Sequence, residues 1–295
     1  MSRLLDPKVL MSIKDLSLAA KTAVDGFMSG INRSTVKGPG LEFSQYRSYQ
    51  PGDDLRWLDW KMYARSDRYY IRESEIETSI SVRLVIDASG SMNHTDQGIA
   101  KIEYARYLAA SLAYLCHLQG DAVGLYVCRE GQLFSLASRQ EHQHMARLYH
   151  QLEEIRAGGR FTQPVHYKNV FSSARKKVML IFLSDLYETD GEIRTMLETL
   201  ATYKHEILVF QLLARNELEL DFKGYTGLED LETGEVVRID TEQTRKLYQE
   251  RLAGFLSAKR LELLDKNIFY RLMRTDQPLD QALRDFLNQR QKSRS

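Results

Sequence analysis

The sequence predicts an α/β fold: a doubly wound, mostly parallel sheet with helices on both faces, preceded by an N-terminal helix and an irregular segment. Three observations carry this prediction. Strand-like apolar runs alternate with helical patterns from Tyr69 onward, the order expected of repeated strand-helix units. Two of the runs read as strands, residues 81–86, rich in β-branched and aliphatic side chains, and residues 178–183, continuously apolar as in a buried parallel strand, and an Asp follows each closely. Finally, 43% hydrophobic residues in a chain of 295 can fill one large core with a smaller appendage.

The elements follow in order. Apolar spacing near a helical period, with Leu10, Ile13, Leu16 and Leu18, predicts a helix over residues 7–27, and Gly30 is its stop. Residues 33–64 hold neither period. A long strand is then expected through residue 86, a helix over 99–118 and a strand over 122–128. Arg129-Glu130-Gly131 turns that strand into a hairpin partner at 132–136. A helix over 141–155, the apolar strand ending at Asp185, a helix over 193–203 and a buried strand over 206–213 continue the alternation. Gly227 and Thr233-Gly234 split residues 224–239 into a small charged hairpin. A long amphipathic helix over 241–265, a last strand over 268–273 and a helix over 279–287 with a mobile basic tail complete the chain. The expected division is an N-terminal segment, 1–68, and a larger domain, 69–295. Neither an internal repeat nor a low-complexity linker is present.

Composition narrows the function classes. A net charge of +1 gives no basic field for nucleic acid or a membrane surface. The two cysteines, Cys116 and Cys128, lack metal or redox spacing and read as reduced core residues. The longest apolar runs fall short of the roughly 20 residues of a spanning helix. Asp6, Lys8, Lys14 and Asp15 break up the N-terminus, against a signal peptide, so the expected location is cytoplasmic.

The chemistry centres on Asp87-Ala88-Ser89-Gly90-Ser91, which puts one carboxylate and two hydroxyls on the turn leaving a buried strand. Carboxylate, hydroxyl and water are hard donors, so the set favours Mg²⁺, with Mn²⁺ or Ca²⁺ as alternatives, over Zn²⁺ or copper. Carboxyl ends of strands are also where open parallel sheets bind ligands. Two later segments end in matching oxygens: Gly158-Gly159-Arg160-Phe161-Thr162 in a hydroxyl, and the run 178–185 in Asp185. The pattern resembles the metal-ion-dependent adhesion site of von Willebrand factor A domains. By that resemblance Ser89, Ser91 and Thr162 ligate directly, Asp87 and Asp185 act through bound waters, and a partner's carboxylate fills the open position. The Gly-Gly-Thr of that family is stretched here by Arg160 and Phe161.

A second resemblance lies upstream. Residues 42–65 include Arg47, Pro51, Gly52, Asp53, Asp54, Arg56, Asp59, Trp60 and Arg65, and continue through Arg72-Glu73-Ser74-Glu75 toward the metal motif. This run resembles the signature of the domain of unknown function 58 family, whose members carry a von Willebrand A-like domain just downstream. The resemblance implies work alongside a MoxR-type AAA+ ATPase. Read chemically, Pro51-Gly52-Asp53 is a turn. Trp57 and Trp60 would share one helical face and plug the segment onto the sheet. Arg47, Arg56 and Arg65 alternate with Asp53, Asp54 and Asp59 as a partly buried ion-pair network. A clasp holding the N-terminal segment in place ranks above direct partner contact, because paired and aromatic groups mostly serve packing.

Enzyme readings lack their groups. A phosphoryl-accepting Asp87 would want a second acid two positions on, where Ser89 stands; Ala88-Ser89-Gly90-Ser91 lacks the glycines of a nucleophile elbow; no phosphate-binding loop ends in Lys-Ser or Lys-Thr. His142, His144 and His150 read as a solvated helix surface, and Glu73, Glu75 and Glu77 as a solvated strand edge. The expectation is a non-catalytic, divalent-metal-dependent protein-interaction module, its partner a MoxR-type AAA+ ATPase or a client of one, in a chaperone-like or complex-maturation role. A metal-independent scaffold is the alternative, with a metal-dependent phosphohydrolase ranked below it.

Overall fold

A computed structural model describes residues 6–33, 45–50, 58–73, 79–164, 167–172, 178–203, 205–222 and 224–294. They form two compact units. One comprises the described residues up to Gly30 together with those from Ser79 on, the other those between Ile31 and Thr78. The N-terminal helices thus join the larger unit rather than the signature segment, and packing explains why.

Helix α1 (Pro7–Ser12) starts where the Asp6 carboxylate accepts the Lys8 N–H at 2.9 Å, with Pro7 in the first turn. The expected single helix is broken at Ile13, and α2 (Leu16–Arg33) restarts with Asp15 accepting from the Leu18 N–H at 2.9 Å. Leu16, Ala19, Ala20, Ala23, Val24 and Phe27 recur at three- and four-residue spacing and are buried. The Tyr107 hydroxyl donates to the Ile13 carbonyl, and the Arg284 guanidinium lies over the Phe27 ring.

In the smaller unit β1 (Gln45–Ser48) pairs antiparallel with β2 (Tyr70–Glu73), with α3 (Trp60–Ser66) between them in sequence. Asp59 receives the Met62 N–H at 3.0 Å at the start of α3, and Tyr63 stacks on Tyr69 at 4.5 Å between centroids. Trp60 is not a plug: it is 62% exposed and meets only the edge of Tyr63 among the described rings. Arg65 is likewise exposed, so it is no part of the partly buried ion-pair network expected there. Pro51, Gly52, Asp53, Asp54, Arg56, Trp57, Glu75 and Glu77 lie outside the described residues, as do the side chains of Arg47 and Glu73.

The larger unit is built on a six-stranded sheet. Its centre is β3 (Ser81–Asp87), a separate strand rather than a continuation of β2. A 3-10 turn at Gly90–Asn93 and the short pair β4 (Thr95–Asp96) and β5 (Ile99–Ala100) lead into α4 (Lys101–Leu118). Then come β6 (Ala122–Arg129), β7 (Gln132–Arg139), α5 (His142–Glu154), α6 (Tyr167–Ser172) and β8 (Val178–Ser184). The remainder is α7 (Glu192–Thr202), β9 (Glu206–Leu213), α8 (Arg215–Glu219), β10 (Tyr225–Glu229), β11 (Val236–Asp240), α9 (Thr241–Asp265), β12 (Phe269–Arg274) and α10 (Asp280–Arg294).

The sheet order is β12-β9-β8-β3-β6-β7, parallel throughout except for β7, which pairs antiparallel with β6. Every residue of β8 is buried, as a central parallel strand requires. Val85, Leu180, Phe182 and Val209 share one core cluster with Phe171 of α6, four residues of α7 and Leu263 of α9. Strand alternation turns Leu84 and Ile86 to the other side, where α4 packs along the sheet between α5 and α10. Because the chain moves from β3 to β6 and later returns to β8, the order reverses at β3, and its carboxyl end beside that of β8 is the switch point.

Two expectations about the surface are corrected. Helix α10 continues well past the expected residue 287, and Arg290, in the supposed mobile tail, is buried with its guanidinium on Asp121 at 2.8 Å. His144 is also buried, its Nε2 2.7 Å from the Val123 carbonyl, because it falls on the apolar stripe with Met145, Leu148 and Leu152. Cys116 and Cys128 are free and buried.

Candidate metal centre

Asp87 ends β3 and is fully buried. Its Oδ1 receives the Ser89 N–H at 2.9 Å, and its Oδ2 receives the Ser184 hydroxyl at 2.6 Å. Burial pushes the Asp87 carboxyl up to about 7, helped by the nearby charge of Asp185, although the bonds from Ser184 and Ser89 oppose the rise. Ser89 and Ser91, buried on the turn after β3, hold their Oγ atoms 3.1 Å apart. Adjacent ligands of an octahedral Mg²⁺ at about 2.1 Å stand roughly 3 Å from one another, so this spacing suits two neighbouring ligands of one ion.

Two backbone bonds and one side-chain bond join the glycine loop to this turn. Gly90 N–H donates to the Gly159 carbonyl at 2.7 Å, Gly158 N–H to the Ala88 carbonyl at 2.9 Å, and the Asn93 side-chain Nδ2 to the Ala157 carbonyl at 3.0 Å. Gly159 has φ +69°, which a residue with a Cβ rarely adopts. The loop is therefore in place, but Thr162 is not on the serine pair. It is exposed, and a Cβ built on Gly131 in the β6–β7 turn would meet its Oγ1 at 3.1 Å. The two inserted residues carry the hydroxyl past the site. Arg160, directly after the glycines, pairs with Asp190 at 2.9 Å instead.

Asp185 follows β8 and is buried, with both oxygens engaged. Its Oδ1 accepts the Tyr187 N–H at 3.0 Å, and its Oδ2 accepts the Lys101 ammonium at 2.7 Å. Lys101 sits in the first turn of α4, is 2% exposed, and bonds Glu217 of α8 at 2.7 Å as well. Burial alone would lower its pKa; Asp185 and Glu217 together more than reverse that, so it is held protonated. The next residue, Leu186, has φ +58° and is buried, a strained backbone at the site's edge.

One further carboxylate reaches the cluster from the β10–β11 hairpin. Glu232 Oε2 accepts the Phe161 N–H at 3.2 Å. Its Oε1 is fully buried with no well-formed hydrogen bond, although the Ser89 and Ser91 hydroxyls stand close to the carboxyl. Burial raises the Glu232 carboxyl; the Phe161 N–H and the neighbouring hydroxyls of Ser89 and Ser91 work against that, and the charge of Asp185 adds to it. The hairpin is moored beside the site. Asp230 accepts the Tyr187 hydroxyl at 2.7 Å, and the Leu231 carbonyl lies against Gly90, where a Cβ would meet it at 2.4 Å.

Among the described residues there is no group of three or more His, Cys, Asp and Glu side chains arranged to hold a metal. The candidate donors are instead the Ser89 and Ser91 hydroxyls with the Asp87 and Glu232 carboxylates. They fit a hard divalent cation on two grounds. One buried carboxylate oxygen has no well-formed partner, and the Lys101 ammonium pairs with Asp185 and Glu217 but with neither Asp87 nor Glu232. Sequence reasoning missed Lys101, Glu217 and Glu232. A lysine opening a helix and a glutamate in an Asp-Leu-Glu-Thr-Gly turn carry ordinary surface signals, and only long-range packing reveals them.

Fold and site together define an α/β protein with a buried oxygen-rich cluster at the switch point of a mostly parallel sheet. The chain belongs to the family described as Protein of unknown function DUF58, whose model matches residues 45–254. It is 28% identical over 234 residues to uncharacterized proteins of Mycobacterium tuberculosis and Mycobacterium bovis, covering 78% of this chain and 73% of theirs. Similar solved structures include the conserved hypothetical protein BatB of Bacteroides thetaiotaomicron, at 15% identity and TM-score 0.47, covering 72% of this chain and 98% of that one. The VWA domain of SpRpn10 is similar at 9% identity and TM-score 0.36, covering 70% of this chain and 94% of that one. No described helix is long and apolar enough to cross a membrane.

Proposed function

We propose that the protein is a non-catalytic, divalent-metal-dependent interaction module of the von Willebrand A type, recognising a carboxylate on a protein partner. The observation that carries this reading is the Asp87–Ser89–Ser91 cradle at the end of β3, beside the end of β8. Ser89 and Ser91 would hold Mg²⁺ directly, with Asp87 oriented by Ser184 to receive its waters, and Asp185, already neutralised by Lys101, standing one layer out. Mg²⁺ bound there would supply a cationic anchor for one carboxylate oxygen. The resemblance of the signature segment makes a MoxR-type AAA+ ATPase, or a client of one, the partner to test, in the cytoplasm. The absence of a second acid at position 89, where Ser89 stands, argues against phosphoryl transfer through Asp87.

Lys101 favours a second reading. Its ammonium already gives Asp185 and Glu217 a buried cation, so the cluster would also serve a scaffold that needs no metal. Retention of partners by tagged protein, in Mg²⁺ and again in chelator with Asp87→Ala as control, separates the two. The proposal expects an AAA+ ATPase or discrete client held by wild type with Mg²⁺ alone. Equal retention under every condition would favour the scaffold and move recognition to the signature segment.

A further inference from the structure

The geometry points to Glu232 as an internal occupant of the Asp87–Ser89–Ser91 site, a carboxylate of the chain's own hairpin standing where a partner's carboxylate would bind. This rests on the reading of that site as a divalent-cation centre, and adds that the open position is filled from within until the hairpin lifts.

Four observations converge on it. The hairpin tip lies on the motif itself, with the Leu231 carbonyl against Gly90 between the two serines. The Phe161 N–H holds Oε2 of Glu232, Oε1 is fully buried with no well-formed hydrogen bond, and the carboxyl lies close enough to the Ser89 and Ser91 hydroxyls for them to oppose its rise. A buried carboxylate oxygen left so is costly, and a cation between it and the serines would satisfy it. The tip is shaped to aim this residue. Asp230 Oδ1 accepts the Glu232 N–H at 2.8 Å and the Thr233 N–H at 3.3 Å, and Gly234 turns the chain back with φ +74°. Last, the element is built to move. Strands β10 and β11 pair only with each other among the described strands, and most of β11 is exposed. A lone two-stranded hairpin is marginal on its own. At its tip the moorings are the Tyr187–Asp230 bond, the Phe161–Glu232 bond and the contact on Gly90.

The occupant is therefore displaceable. An outside carboxylate would gain the same anchor that Glu232 gives up, so the hairpin sets a threshold for partner binding without changing the cradle.

Mn²⁺ on the full chain, followed by electron paramagnetic resonance and water-proton relaxation, tests this, with acetate as the probe carboxylate. Glu232→Gln is close in size and keeps the hairpin's backbone bonds. It should weaken Mn²⁺ binding on the order of tenfold, add an exchangeable water to the bound ion, and let acetate displace that water at concentrations that leave wild type unaffected. Tyr187→Phe, which unties Asp230 but leaves every proposed donor, should raise acetate access with little change in Mn²⁺ affinity. Unchanged affinity and hydration in Glu232→Gln would overturn the internal-occupant proposal while the cation centre stands. Wild type that binds no Mn²⁺, or a Ser89→Ala variant that binds it normally, would overturn the cation centre and this proposal with it.

Discussion

Asp87 and Lys101 show how much of the site's energetics lies in burial. The Asp87 carboxylate is fully enclosed and disfavoured in its charged form; an amide would keep the Ser89 N–H bond but would face Ser184, which already accepts the Leu186 N–H, with a second donor. Relief of the buried charge should outweigh that one lost bond, so Asp87→Asn should stabilise the protein at pH 7 in chelator by about 1–3 kcal/mol, and lose whatever stabilisation Mg²⁺ gives wild type. Denaturant titrations with and without Mg²⁺ measure both. Lys101 works in the opposite sense. Lys101→Met leaves the buried Asp185 and the half-buried Glu217 facing an apolar tip, and should cost about 3–5 kcal/mol in the same titrations. The Asp-Ala-Ser-Gly-Ser run was legible because its order along one turn is what puts the oxygens together. Lys101 and Glu232 were not, because each enters the cluster through partners more than seventy residues away in sequence. Thr162 misled because a loop hydroxyl near a glycine pair says nothing of the two residues that carry it past.

At the scale of elements, hydrophobic period decided what was readable. The unbroken apolar run of β8 is too short for a core helix and reads as a buried strand, and Asp240 marks the start of α9 by accepting the Glu242 and Gln243 N–H groups. Short helices such as α6 and α8 hold too few residues to show a period. In α8 the helix forms where Glu217 Oε2 accepts the Ala214 N–H at 2.7 Å, while its other oxygen reaches Lys101. The β10–β11 hairpin was legible from its glycines, but where its tip lands was not. Gly90→Ala tests that placement. A methyl there meets the Leu231 carbonyl at 2.4 Å and the Gly159 carbonyl at 3.0 Å. The hairpin tip should be pushed off, and amide hydrogen exchange should rise across residues 230–235 while β3 and β8 stay protected.

The whole molecule ties its far ends to this sheet. Arg290 of α10 bonds Asp121 before β6, and Asp121 in turn receives the Ile80 N–H at 3.1 Å, so the C-terminal helix secures the entry to β3. Arg290→Met should strip a buried carboxylate of its partner and cost about 3–5 kcal/mol, read as a lower unfolding midpoint in denaturant. The doubly wound architecture was evident from the alternation of periods, whereas the membership of the N-terminal helices in the larger unit was not. Leu10, Leu16 and Val24 mark an apolar face, and only the fold shows what that face meets. Under the proposed function, the switch point of this sheet would be a divalent-cation site built on two serines. Calorimetric titration of Mg²⁺ into the purified full chain, beside a Ser89→Ala, Ser91→Ala double variant, tests it most directly. The account predicts one saturable site in wild type and none in the variant. Equal binding by both, or binding by neither, would contradict it.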